Sequence, residues 1–166
     1  VTPTHYAPSI AVALNELRDS GALNIPVVYN TSSFDSLEAL RLMKGVVDVY
    51  LADFKYASAL EAGKLSHASR YPEIALAAIE EMVAQVPVWE EDDEGLLLKG
   101  VIVRHLVLPG RVEESKRALA VLHECFGDNV RLSIMSQYTP LASGLERYGL
   151  AGRVTEEEYE EVLDYA

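Results

Sequence analysis

Cysteine is almost absent: Cys125 is the only one in 166 residues, which excludes an internal disulfide. No apolar run approaches the ~18 residues of a membrane span, and nothing resembles a signal peptide, so a cytoplasmic location is expected. The glycines form neither a phosphate loop nor a dinucleotide fingerprint. His5, His67, His105 and His123 have no short ligand spacing, so no metal site is predicted from them. Basic charge is scarce, with 14 Lys and Arg against 26 Asp and Glu. A nucleic-acid partner would require a basic footprint, and this balance argues against one.

What is present is an ordinary globular composition, 49% apolar and 24% charged, which excludes disorder as the default. The net charge of −12 is concentrated in two places. Glu90, Glu91, Asp92, Asp93 and Glu94 form one acidic run, and Glu156, Glu157, Glu158, Glu160, Glu161 and Asp164 another. These hold 11 of the 26 acids, leaving 15 acids against 14 bases elsewhere. The run at 90–94 reads as a solvated turn and lacks calcium-ligand spacing.

A first helix is predicted from Pro8, with Ile10, Ala13, Leu14 and Leu17 at helical spacing and Gly21 as its stop. Residues 25–29 read as a buried strand ending in the polar loop Asn30-Thr31-Ser32-Ser33. Leu37, Leu40 and Met43 predict a second helix, closed by Gly45, and residues 46–52 a second strand running into Asp53-Phe54-Lys55-Tyr56. Residues 57–70 are read as loop-like, at most with a helical turn. Pro72 opens the strongest helix, with Ala75, Ile79, Met82, Val83 and Val86 on one face. Val88-Trp89 and Leu96 to Leu98 flank the acidic run as a hairpin. Residues 101–108 predict a long strand stopped by Pro109-Gly110. A helix through Leu119, Leu122, Cys125 and Phe126 follows, with Cys125 as a small core residue. Residues 130–135 form a last strand, and Thr155 with Glu158 a capping box for a terminal helix. Val1-Thr2-Pro3 reads as the end of a further strand. Strands alternating with helices predict an α/β fold with parallel strands, 1–166 being a single domain.

In such folds ligands gather at the carboxyl ends of the strands. Thr4 and His5, Asn30, Asp53 and Lys55, and Gln137 and Tyr138 stand at those ends. Asp53 and Lys55 are two apart, so an extended chain points them to the same side. They form either a local ion pair or a site in which Lys55 holds a carboxylate and Asp53 binds a cation or the lysine. Arg104 lies inside an apolar strand, where a guanidinium needs a partner. That partner is either Asp48 or Asp53, or else a carboxylate or phosphate ligand. His105 faces the opposite way, as a hydrogen-bonded packing residue.

Five strings share a further property. Val1 to Tyr6, Val28-Tyr29-Asn30-Thr31, Asp48 to Tyr56, Arg104 to Gly110, and Met135-Ser136-Gln137-Tyr138 occur in an order that resembles the radical S-adenosylmethionine superfamily, in particular proteins similar to pyruvate formate-lyase activating enzyme. The segment from Tyr71 to Gln85 also fits. The resemblance implies a partial (βα)6 TIM-like barrel. It also implies a [4Fe–4S] cluster on a CxxxCxxC loop and reductive cleavage of S-adenosylmethionine to a 5′-deoxyadenosyl radical. Glycyl-radical enzymes are the protein partners of such activating enzymes.

By position, the resemblance assigns cofactor binding to Thr4, His5, Asn30, Thr31, Asp53, Lys55, Arg104, Gln137 and Tyr138, with Asp53 beside a cation. The sequence departs from the family at the three-cysteine motif, which is absent, and at Thr4 and His5, where relatives have glycines. The expectation is therefore a barrel truncated at its N-terminus, the larger C-terminal part of a longer enzyme. This chain alone would have no catalytic residue of its own, no bound cluster and no radical activity. A truncated edge also predicts either self-association or repacking of the N-terminal segment. Two other readings stand beside this one: a Schiff-base (βα) lyase or aldolase using Lys55, and a non-catalytic α/β module binding a partner through its acidic segments.

Overall fold

The computed structural model describes residues 3–141 and 143–166. The strand predicted at Val1 and Thr2 lies outside the described residues, and Thr4–Tyr6 form a 3-10 turn. The fold is α/β, a five-stranded sheet flanked by helices. The chain divides into two compact units. One takes the chain up to Asp53, then Glu73–Val103 and Asp128–Arg131. The other takes Phe54–Pro72, Arg104–Gly127 and Leu132–Ala166.

The first unit begins with helix α1 (Ala7–Asp19), which carries Pro8 in its first turn and is followed by Gly21 at φ 70°. Its buried residues are Ala7 and Ala11, whereas the expected core positions Ala13 and Leu17 are exposed. Arg18 turns this face inward by donating to the carbonyl of Val46 (3.0 Å) and pairing with Asp48. Asp48 also accepts from the amide of Val27 at 2.8 Å. Strand β1 is Val28–Thr31, three residues later than expected at its start, and Ile25 is exposed. Pro26 explains the shift, because it offers no N–H to a ladder.

Helix α2 (Leu37–Arg41) is capped by the Ser36 side chain and buries Leu40. Strand β2 (Val49–Asp53) pairs in parallel with β1, in the register Val28↔Val49 to Thr31↔Ala52. The predicted apolar stripe of helix α4 (Tyr71–Gln85) is buried at Ala75, Ile79, Met82 and Val86, with Val83 half-buried. Within it, Gln85 accepts the Tyr50 hydroxyl (2.6 Å) and donates to the carbonyl of Leu40 (3.0 Å). One side chain thus joins β2, α4 and α2. The acidic run is a hairpin as expected. Strand β3 (Glu90–Glu91) pairs antiparallel with the start of strand β4 (Leu97–Leu106), and Gly95 turns at φ 79°. Asp92 fastens the turn by accepting from the amides of Glu94 and Leu96. Strand order in this unit is β1-β2-β4-β3.

The second unit holds the end of β4 and most of strand β5 (Arg131–Met135), which pairs with β4. The amide of Val107 extends this pairing by donating to Met135 at 2.9 Å. Helix α3 (Ala59–Ser66) occupies what sequence reading took for loop. Ser58 caps it by accepting from Leu60 and Glu61, and His67, at φ 53°, ends it. Helix α5 (Val112–Phe126) buries Ala118, Leu119, Leu122 and Phe126, while Cys125 is exposed rather than in the core. Its buried positions repeat at three and four residues, and that stripe passes beside Cys125. Helix α6 (Glu156–Tyr165) has the predicted capping box and packs Val162 against Val107 and Leu119. No helix among the described residues is long and apolar enough to cross a membrane.

Candidate functional site: two strand-end turns

The first turn follows β1. Burial alternates along the strand, so Tyr29 and Thr31 point inward and Asn30 is exposed. Thr31 donates its hydroxyl to Asp35, and Thr4 donates to the other oxygen of the same carboxylate at 2.6 Å. The Thr31 oxygen also accepts the amide of Ser33 at 3.1 Å. This closes a small ring that holds Ser33 at φ 61°, a conformation uncommon for a residue with a side chain. Asp35 is 4% exposed. A carboxylate that deep requires full hydrogen bonding, and two hydroxyls supply it.

Tyr29 completes the cluster. Its ring meets Tyr50 edge-on at 5.8 Å. Burial, followed by the charge of Asp35, pushes its phenol up to about 12, against the pull of the Thr4 hydroxyl. Thr4 commits its proton to Asp35, and the Tyr29 hydroxyl has no hydrogen-bond partner among the described residues; neither has that of Ser33. Tyr29 therefore stays neutral across the physiological range and cannot serve there as a base. Asp35 also borders an open groove of about 390 Å³ with Phe34, Leu37, Ile74 and Ala77 as apolar walls.

On the opposite side of the β1–β2 pair, Asn30 aligns with Leu51, and Asp53 follows two residues later. By the two-residue period of strands, Asn30 and Asp53 share one face. That face is only partly covered, since Val28 and Asn30 are exposed and Leu51 and Asp53 half-buried.

The second turn is the segment from Phe54 to Ser58. The Phe54 amide donates to the carbonyl of Arg104 at 2.8 Å. The Phe54 carbonyl accepts from His105 Nδ1 at 2.7 Å, which fixes the tautomer, because a carbonyl can only accept. The other ring nitrogen then accepts from Ser115 Oγ at 3.0 Å. The Lys55 amide donates to the Tyr71 hydroxyl (3.0 Å). The amides of Ala57 and Ser58 both donate to Glu114 Oε1, at 2.8 and 2.7 Å. Arg117 holds the second oxygen of Glu114 at 2.9 Å.

His105 is 2% exposed. Burial pushes its pKa below the usual value, against the pull of the Phe54 carbonyl and Glu114. The Ser115–His105 pair resembles a nucleophile and its base, but Ser115 is 1% exposed. The cavity beside it measures about 10 Å³, at the limit for one water. The pair is a fastening with no room for a substrate.

Of the residues expected at the site, Thr4 and Thr31 meet on Asp35, and Asn30 and Asp53 lie on one face. His5 is exposed on its 3-10 turn, and Lys55 is exposed on the second turn. Arg104 is half-buried on β4, pointing away from buried His105 as the alternation predicts. Gln137 is exposed, its amide 3.6 Å from Met135 Sδ. The Tyr138 hydroxyl donates to the carbonyl of Leu150 at 2.9 Å. Asp48, a candidate partner for Arg104, pairs with Arg18.

Sequence reading missed Asp35, Tyr71 and Glu114. The Thr31-x-x-x-Asp35 spacing was a usable signal for the first, since short polar side chains favour local bonds in turns. Among the described residues no group of three or more His, Cys, Asp or Glu could hold a metal ion.

No family model matches the chain, and no solved structure matches it. It is 32% identical over 164 residues to an uncharacterized protein of Methanocaldococcus jannaschii. The match covers 99% of this chain but 43% of that protein, so the chain spans less than half the length of its relative.

Proposed function

We propose that this chain is part of a radical S-adenosylmethionine enzyme similar to pyruvate formate-lyase activating enzymes, contributing strands of a partial (βα) TIM-like barrel. The observation that carries the reading is the partly open face of the parallel β1–β2 pair, with Asn30 and Asp53 at its carboxyl end. A barrel interior requires an inner face free of helices and strand ends that carry the polar groups. The ordered strings of the sequence support the same reading.

The chain's own residues do not fit the iron–sulfur cluster. A cluster needs several thiolates, and the single Cys125 is exposed on α5. A cluster would need thiolates from outside these 166 residues. Donors suited to S-adenosylmethionine are present, and that cofactor supplies the radical chemistry when bound. In the second unit Lys55 carries an ammonium and Arg104, fixed on β4, a guanidinium, both suited to a carboxylate, and Gln137 an amide suited to a nucleobase edge. In the first unit Asn30 offers a polar amide, and Asp53 a carboxylate suited to an ammonium or a cation. His5 remains an exposed contact in the place of the family's glycines. Thr4 and Thr31, bonded to Asp35, would set the turn that presents Asn30.

Calorimetry with S-adenosylmethionine on the natural full-length protein tests the reading. Asn30→Ala and Lys55→Ala should each weaken binding, and unchanged affinity in both would refute the assignment. The full coding sequence should contain CxxxCxxC. Mixed with iron and sulfide, this chain alone should develop no cluster absorbance near ~400 nm. The Schiff-base alternative fares less well, because Lys55 is exposed whereas an amine nucleophile is activated by desolvation.

A further inference from the structure

We infer that Glu114, supported by His105 and Tyr71, is a positioning residue that locks the Phe54–Ser58 turn and thereby aims the Lys55 ammonium at a carboxylate ligand. The ligand class rests on the function proposed above. The lock rests on geometry alone.

The turn has no helix or ladder of its own, yet its backbone groups are claimed one after another by side chains. His105, on β4, takes the carbonyl of Phe54. Tyr71, at the start of α4, takes the amide of Lys55. Glu114, in the first turn of α5, takes the amides of Ala57 and Ser58 on a single oxygen. Lys55 sits in the middle of this series and is its exposed member.

Glu114 is 5% exposed, an expensive location for a carboxylate. Four N–H groups account for it: two amides of this turn and Nε and Nη2 of the Arg117 guanidinium. Only the amides are sequence-distant, 57 and 56 residues away. A site needs its binding group held close to the productive geometry by neighbours whose own conformations are locked. Glu114 meets that description, since its carboxylate is bonded at both oxygens.

The test measures backbone amide exchange at Lys55, Ala57 and Ser58, and affinity for S-adenosylmethionine, in the natural full-length protein. Glu114→Ala should speed exchange at Ala57 and Ser58 by about tenfold or more and weaken binding by about tenfold. Glu114→Gln retains an acceptor oxygen and should restore both. Lys55→Ala should weaken binding and leave exchange at Ala57 and Ser58 intact, and adding Glu114→Ala to it should cost no further affinity. Unchanged exchange in Glu114→Ala would overturn the lock, and fully additive losses of affinity would overturn its action through Lys55. If Glu114→Ala does not fold, Tyr71→Phe removes one phenol oxygen. It should speed exchange at Lys55 and weaken binding, and no change in either would count against the proposal. If the unmodified protein binds no S-adenosylmethionine, the proposed function fails separately. Exchange and the rate of Lys55 acetylation by acetic anhydride then decide the positioning, which an unaltered rate in Glu114→Ala would overturn.

Discussion

The Thr4–Asp35–Thr31 cluster gives the most quantitative prediction. Asp35 is buried and accepts two hydroxyl hydrogen bonds, and Thr31 also accepts the Ser33 amide. A hydrogen bond to a charged group contributes about 1.5–3 kcal/mol and a neutral one about 0.5–1.5. Thr31→Val keeps the shape, removes one bond of each kind, and should cost about 2–4.5 kcal/mol. Against a typical stability of about 5–15 kcal/mol the variant should still fold, with Tm lower by roughly 4–18 °C. Urea denaturation of the wild type, Thr31→Val, Asp35→Ala and the double variant isolates the pair. Contacting residues in one buried network should couple by about 1.5–3 kcal/mol. A coupling below about 0.5 kcal/mol would show that the two act independently and would refute the cluster as the element that sets the turn.

Other outcomes follow from separate features. A Cβ at Gly100, which lies at φ +157°, would sit 2.6 Å from Trp89 Cε3. Gly100→Ala should therefore cost about 1–3 kcal/mol and red-shift the emission of Trp89, the chain's single tryptophan; unaltered emission and Tm would contradict the close contact. His105 is neutral in the fold because burial lowers its pKa, so the unfolded chain takes up its proton first. Its contribution to stability should be complete above about pH 6.5 and decline as the pH falls from there to its folded value. The decline should be smaller in His105→Gln, and identical pH slopes would argue against it. Strand β1 ends the strand order with Val28 and, just before it, Ile25 largely exposed. The chain should self-associate with concentration in light scattering and less so as Val28→Lys; a strictly monomeric wild type would rule the edge out.

Legibility in the sequence followed the locality of the determinants. Helix α4 and the Thr155–Glu158 cap were readable because each is set within one stretch: Pro72 with a long apolar period, and a reciprocal bond across three residues. Helix α3 was missed because its composition is small and polar and includes Gly63, which hid the Ser58-x-x-Glu61 capping signal. The start of β1 was misplaced because apolar Ile25 outweighed Pro26. The strand-end positions of Asn30, Asp53 and Lys55 were legible from where the apolar runs stop, and the position of Arg104 within β4 from alternation. Their supports were not. Glu114 looks like any acid in a helix's first turn, and nothing near it in sequence announces that its partners are the amides of Ala57 and Ser58.

The two turns share a chemical solution. Each is irregular backbone at the end of a parallel strand, where ladder bonds stop and unpaired polar groups would be costly if buried. Each is organised around one buried carboxylate, Asp35 or Glu114. An ionised carboxyl group suits the role because it only accepts, at two oxygens with about four lone-pair sites. Glu114 uses one oxygen for two amides and still offers the other to Arg117. An amide side chain would spend half its polar surface on donors that neither turn requires. The same reasoning separates the two sites under substitution. Asp35 receives hydroxyls, which can rotate to other partners, whereas Glu114 receives backbone amides, which cannot move without the turn. Loss of Glu114 should therefore disturb local backbone order more than loss of Asp35, even where the two cost similar stability.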